Sequence, residues 1–270
     1  MNKATYSIAV LSGKGGVGKS NISVNLGYAL SMLAKDVVLF DCDMGLANID
    51  ILLGISPENV LQHTFLNDMP LSEIAYPIGI QGKGNYDLVP ANSGLGNFAE
   101  LDADTRDLLC ERINEFAPAY DILLMDISAG ISPTATDLSS RADMRLVVVT
   151  PEPTSITDSY ALMKVMANDF GIKSFHVLVN QAESDEEAQA TFSRLQMVCS
   201  HFLGFKPHFL GSIPHDEAVP QSVTHQKPFI LHAPDSQAAT SCRTLAQKLY
   251  THIREYAKQA EQPPLRVPQS

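Results

Sequence analysis

Gly13-Lys14-Gly15-Gly16-Val17-Gly18-Lys19-Ser20 is the stretch that decides the fold. A short apolar run, Tyr6–Ser12, precedes it and reads as a strand. Behind it, Lys19–Leu33 carries Ile22, Leu26 and Leu30 at helical spacing. Glycines let the loop curl so that successive backbone N–H groups face inward, and the helix N-terminus adds partial positive charge at the same point. Strand, glycine loop and helix in that order make a phosphate cradle. Lys19 is placed to reach β- and γ-phosphates, and the Ser20 hydroxyl to coordinate Mg²⁺. The predicted nucleotide site therefore runs through Gly13, Lys14, Gly15, Gly16, Val17, Gly18, Lys19, Ser20 and Asn21.

Working outward, near-continuous apolar runs suggest further strands at Val37–Asp41, Asp87–Pro90, Ile122–Asp126, Leu146–Thr150, His176–Asn180 and Phe209–Ile213. Helical patterns fall between them at Thr105–Phe116, Ser159–Asp169, Asp185–Leu203 and Ser236–Ala257. Such alternation predicts an α/β, three-layer P-loop NTPase fold with a mostly parallel central sheet flanked by helices. The segment Ser56–Asn85, rich in Pro and Gly, predicts short helices and a flexible loop. One P-loop domain is expected over residues 1–258, with a disordered, proline-rich tail over 259–270.

Composition narrows the function. Thirty Asp and Glu against 19 Lys and Arg give a net charge of −11, which repels nucleic-acid backbones, so no direct nucleic-acid binding is expected. The four cysteines, Cys42, Cys110, Cys199 and Cys242, form no CxxC pair and predict buried thiols rather than a zinc or iron–sulfur site. No apolar stretch has the length of a membrane span, and no signal peptide precedes the loop. A soluble, cytoplasmic protein is the expectation.

Two acidic stretches belong beside the loop. Asp41-Cys42-Asp43 ends the second strand, and carboxylates at the carboxyl end of a parallel strand point into the crevice next to the phosphates. Ile122-Leu123-Leu124-Met125-Asp126 has the form of a Walker B strand, whose acid holds Mg²⁺. Ser128-Ala129-Gly130 follows it as a γ-phosphate sensor.

Lys14 is superfluous to a generic phosphate loop, and with it the chain resembles the deviant Walker A family, which includes MinD, the ParA partition ATPases and nitrogenase iron protein. The resemblance implies a Mg²⁺-dependent ATPase of slow turnover that dimerises with ATP, Lys14 reaching across to the partner's nucleotide. It makes Lys14, Lys19 and Asp43 catalytic, with Asp43 orienting the attacking water. It makes Ser20, Asp41 and Asp126 the metal-side residues, and sets Asn180, Pro214 and Asp216 around adenine. An Asn at a strand end is also a common turn former.

Gly45-Leu46-Ala47-Asn48-Ile49-Asp50-Ile51-Leu52-Leu53-Gly54 and Glu152-Pro153-Thr154-Ser155-Ile156-Thr157-Asp158-Ser159-Tyr160-Ala161-Leu162 look like the FlhG/FleN branch, which regulates flagellar number. The partner so implied is a flagellar transcription activator or a FlhF-type GTPase, and the place is the cytoplasm or a cell pole reached through a partner. Many FlhG proteins carry a Gln-rich activator motif before the first strand, where this sequence shows Met1–Thr5, so stimulation of FlhF by such a motif is not expected. The last helix, with Leu245, Leu249, Tyr250 and Ile253, reads as core-packing, so membrane association is expected to be weak or absent. The alternatives are a ParA- or MinD-like positioning ATPase with another cargo, and a non-catalytic ATP-locked clamp.

Overall fold

A computed structural model describes residues 5–45, 47–81, 83–91 and 101–257. Among the described residues eight strands form one sheet: β1 (Tyr6–Leu11), β2 (Val37–Asp41), β3 (Tyr76–Pro77), β4 (Tyr86–Val89), β5 (Ile122–Asp126), β6 (Met144–Val149), β7 (His176–Ala182) and β8 (His208–Pro214). Their spatial order is β3-β4-β2-β5-β1-β6-β7-β8. Every pairing is parallel except the short antiparallel β3–β4 edge. The carboxyl ends of the parallel strands thus share one rim.

Strand residues alternate between two cores. Ala9 and Leu11 of β1 face one, packed with Leu109, Leu138, Leu162 and Leu195. Ile8 and Val10 face the other, with Leu26, Leu30, Leu245 and Leu249. The first face carries α5 (Ala103–Phe116), α6 (Pro133–Arg141), α7 (Pro153–Phe170) and α8 (Asp185–Leu203). The second carries α1 (Lys19–Ser31) and the terminal helix, which spans Gln237–Ala257. Strands buried on both faces explain the unbroken apolar runs, each such side chain contributing about 1.5–3 kcal/mol on burial. The three-layer expectation holds.

Short helices fill the connections: α2 (Ile49–Leu53), α3 (Gln62–Asn67), α4 (Leu71–Ile74), α9 (Ala218–Thr224) and α10 (Phe229–His232), so that the terminal helix is α11. The segment expected to hold short helices and a loop also supplies β3, where Pro77 is tolerated because it lies on a sheet edge. α6 escapes the periodic reading because it is short and polar. Ser132 starts it, its Oγ accepting from Ala135 N at 3.2 Å. α7 begins six residues before the expected Ser159, with Pro153 at its first turn, where a missing N–H costs nothing.

The expected core role of α11 is met: Leu245 and Leu249 are buried, and Tyr250 lies under Lys35. Near its end Tyr256 packs edge-on against Tyr6 of β1, ring centroids 4.9 Å apart. No helix among the described residues is long and apolar enough to cross a membrane. All four cysteines are free and buried, as expected. The tail predicted to be disordered lies outside the described residues, as does Leu46 of the FlhG/FleN-like stretch.

Candidate functional site

The loop between β1 and α1 turns through left-handed backbone at Gly16 (φ 80°) and Gly18 (φ 88°), conformations glycine adopts without penalty. Gly13 is a glycine for a different reason: a Cβ there would collide with the backbone of Asp158 and Ser159 in α7. Asn180, at the end of β7, donates from Nδ2 to the Val17 carbonyl at 2.8 Å and pins the loop from the other side.

Over the loop opens a cleft of about 720 Å³, lined by Gly15, Gly16, Gly18, Lys19, Ser20 and Asn21, with Asp43, Asn48, Ser128 and Ala129 opposite. A second cavity of about 280 Å³ is lined by Asn180, Pro214, Asp216 and Phe229, and shares Gly18 and Asn21 with the first. The first has the polar loop a triphosphate requires, and the second sets Ile22, Ile213, Val219 and Phe229 beside Asn180 and Asp216, a mix that suits a base. Both Asp216 oxygens accept backbone N–H groups, from Ala218 and Ala238 at 2.9 Å each, so this carboxylate holds the cavity walls together. Of the predicted loop residues, Gly13, Lys14 and Val17 are not among those lining the cleft. Gly13 abuts α7, Val17 packs into the core, and Lys14 leaves the cleft altogether.

Beneath the cleft, parallel register sets Asp41 beside Asp126. Lys19 Nζ lies 2.9 Å from Asp126 Oδ1, and Ser23 Oγ donates to the same oxygen at 2.7 Å. Asp126 Oδ2 is buried with no hydrogen-bond partner. Burial, and then the neighbouring Asp126 charge, push the Asp41 carboxyl up to about 8, partly opposed by the Asp43 N–H at 3.1 Å. Two buried carboxylates, one with an orphaned oxygen, lie under a serine hydroxyl and a phosphate cradle. Lys19 neutralises Asp126 and burial favours the protonated Asp41, so once Lys19 turns to a phosphate these oxygens suit a hard dication such as Mg²⁺. Ser20, Asp41 and Asp126 are the residues that could hold one, directly or through water.

The segment after β5 is stitched to the loop. Gly130 (φ 96°) donates its N–H to the Ser12 carbonyl at 2.9 Å, which brings Ser128 and Ala129 to the cleft wall. Lys14 points along the surface to Glu152 Oε2 (2.6 Å) and Thr154 Oγ1 (3.2 Å), its side chain 39% exposed. Its hydrogen bond and charge lower the Glu152 carboxyl. Sequence reasoning missed Glu152, Ser23 and Asn48 as part of this site; Ser23 was detectable only as a polar residue on the buried side of α1.

A parallel sheet with a glycine phosphate loop at its central strand, a Walker B acid beside it and a second lysine in the loop defines a P-loop nucleotide-binding protein of the deviant Walker A class. The model of the CobQ/CobB/MinD/ParA nucleotide-binding domain matches residues 8–229, and the chain belongs to that family, whose MinD and ParA members are ATPases. The antiactivator FleN of Pseudomonas aeruginosa is 38% identical over 242 residues, covering 90% of this chain and 85% of that protein. The flagellum site-determining protein YlxH of Helicobacter pylori is 30% identical, covering 92% and 83%. Among solved structures, the cell division ATPase MinD of Pyrococcus furiosus superposes with a TM-score of 0.75 at 22% identity, covering 93% of this chain and all of that one. MinD of Pyrococcus horikoshii, complexed with Mg-ADP, gives 0.75 at 23%, covering 95% of this chain and 100% of that one. At those identities the likeness is one of fold.

Proposed function

We propose that this protein is an ATP-operated switch of the FleN/FlhG type. It binds Mg²⁺–ATP, pairs with a second copy, and regulates flagellar number by holding a flagellar transcription activator or a FlhF-type GTPase. The observation that carries the reading is Lys14. It sits in the loop yet turns away from its own cleft to Glu152 on the surface, from which it would swing to the nucleotide of a second subunit. Exposed Ile51 and Val223, beside the cleft-lining Leu52, and exposed Ile131 give the mouth of the cleft apolar surface to cover.

In this reading the loop N–H groups and Lys19 hold the β- and γ-phosphates, which requires Lys19 to leave Asp126 for the phosphate. Bound Mg²⁺ supplies charge neutralisation of the phosphate oxygens. Asp126, kept in place by Ser23, and Asp41 face that charge from below. Asp43, on the cleft wall, orients the attacking water, and Lys14 of the second copy stabilises charge on the phosphates. Asn180 and Pro214 flank the base. Hydrolysis removes the γ-phosphate that Ser128-Ala129-Gly130 touches and releases the pair.

Light scattering with a non-hydrolysable ATP analogue tests the switch. A dimer with the analogue and a monomer without it is the expected result; a monomer throughout, at tens of micromolar protein, a range typical of weak association, rejects it. Pull-down from cell extract with ATP and with ADP tests the partner, which is expected in the ATP sample alone.

A further inference from the structure

Asn25 lies in the middle of α1, wholly buried. Its Oδ1 accepts the Ile230 N–H at 2.9 Å, and its Nδ2 donates to the Asn21 carbonyl at 2.8 Å and to Asn21 Oδ1 at 2.7 Å. A backbone N–H can only donate, so Ile230 decides which end of the Asn25 amide is oxygen. The amino end must then face Asn21. Asn21 in turn offers its oxygen to Asn25, which leaves its own amino group as the end directed elsewhere. Asn21 lines both the phosphate cleft and the base cavity, at the junction where the inner phosphate of a nucleotide must pass.

We propose that Asn25 is a positioning residue that sets the Asn21 amide as a hydrogen-bond donor toward an α-phosphate oxygen. The inference rests on the reading of the cleft as an ATP site and goes one step inside it. An Asn21 turned the other way would set its carbonyl oxygen against an anion. The turn of helix between positions 21 and 25 makes the relay possible, since residues four apart share one face. The same Asn25 oxygen ties α1 to Ile230, next to Phe229 on the wall of the base cavity. One buried amide therefore fixes polarity at the phosphate and supports the wall behind the base.

The test is a binding titration of the full chain with a fluorescent ADP analogue and Mg²⁺. Asn25→Asp keeps the acceptor for Ile230 but sets an oxygen against both the Asn21 carbonyl and the Asn21 side-chain oxygen, so Asn21 is driven to turn its amino group inward and its oxygen to the phosphate. Affinity should fall about tenfold or more, the order of a hydrogen bond to a charged group. Asn21→Ala should fall by a similar factor, and Asn25→Asp should cost clearly less in the Asn21→Ala background, where only its charge and its contact with the position 21 carbonyl remain and no amide is left to orient. If Asn25→Asp does not fold, Asn25→Ala takes its place in the same cycle, with a smaller loss that again shrinks in the Asn21→Ala background. An Asn25 variant that binds as the parent does, or that loses the same factor with and without Asn21, overturns the proposal. Failure of the nucleotide reading itself is separate: the parent would then not bind the analogue, or Lys19→Ala would bind it equally well.

Discussion

Lys19 Nζ and Asp126 Oδ1 lie 2.9 Å apart with side chains 7% and 1% exposed, so the loop lysine and the acid that ends β5 form a buried ion pair. Lys19 thereby supplies positive charge beside Asp126 and Asp41, opposing the burial and the Asp126 charge that raise the Asp41 carboxyl.

Lys19→Ala should therefore do two things. Nucleotide binding should disappear, and the nucleotide-free fold should lose about 3–5 kcal/mol, the usual consequence of leaving a buried charge alone. Asp126→Asn added to Lys19→Ala should recover most of that stability and none of the binding. Urea unfolding with a parallel nucleotide titration measures both, and an unchanged urea midpoint in Lys19→Ala would mean that the pair does not support the fold.

Asp43 and Lys14 should fail in opposite senses. Asp43→Ala should bind ATP normally, hydrolyse it one to three orders of magnitude more slowly, roughly the loss of a water-positioning group, and accumulate as a dimer. Lys14→Ala should bind ATP as a monomer and turn over slowly. Phosphate release and sizing on both variants decide this. Parental turnover in Asp43→Ala removes Asp43 from the chemistry, and no turnover in the parent, even with candidate partners, leaves a clamp.

Gly13 and Gly15 should respond differently to one methyl group. At Gly13 it meets the backbone of Asp158 and Ser159, which cannot rotate aside; at Gly15 it meets nothing within 4 Å. Gly13→Ala should lose about 1–3 kcal/mol through overpacking, while Gly15→Ala stays within about 0.5 kcal/mol, as open surface sites do. Equal melting temperatures for the two variants would contradict the close approach of the loop to α7.

His176 should make the fold acid-sensitive. Burial first, then the His252, His208 and Arg145 charges around it, lower its ring from the ordinary 6.5 to about 4, and its Nδ1 has no hydrogen-bond partner. The ring centroids of His208 and His252 are 5.3 and 5.1 Å away. With the folded-state value below the unfolded one, the unfolded chain takes up the proton first. Stability from this group is then full above about 6.5 and lost as pH falls toward about 4. Urea midpoints at pH 7 and pH 5 should drop more for the parent than for His176→Phe. An equal drop in both would assign the acid sensitivity to other groups.

Much of this was legible in the chain because the phosphate loop is local. Strand, glycines, lysine and helix are consecutive, and apolar runs on both sides of them require a sheet covered twice. The acids were legible for the same reason, each ending an apolar strand. What stayed hidden depends on contacts between distant segments. Glu152 stands 138 positions from Lys14, and nothing in the surrounding proline and threonines marks it as an ion-pair partner. Asn25 looks like a polar intrusion in an apolar helix until Ile230, 205 positions away, supplies its donor. α6 and β3 were missed because a polar nine-residue helix and a two-residue edge strand carry too little periodicity to register.

The edge-on contact of Tyr6 with Tyr256 brings the described beginning and end of the chain side by side, on the rim away from the cleft. The order in which the strands are threaded is therefore not what holds the nucleotide rim together. A circular permutant, closed by a linker between these two ends and opened between the exposed Lys173 and Ser174, would keep every pairing of the sheet. Its phosphate loop would move to the interior of the sequence with its strand and helix still attached.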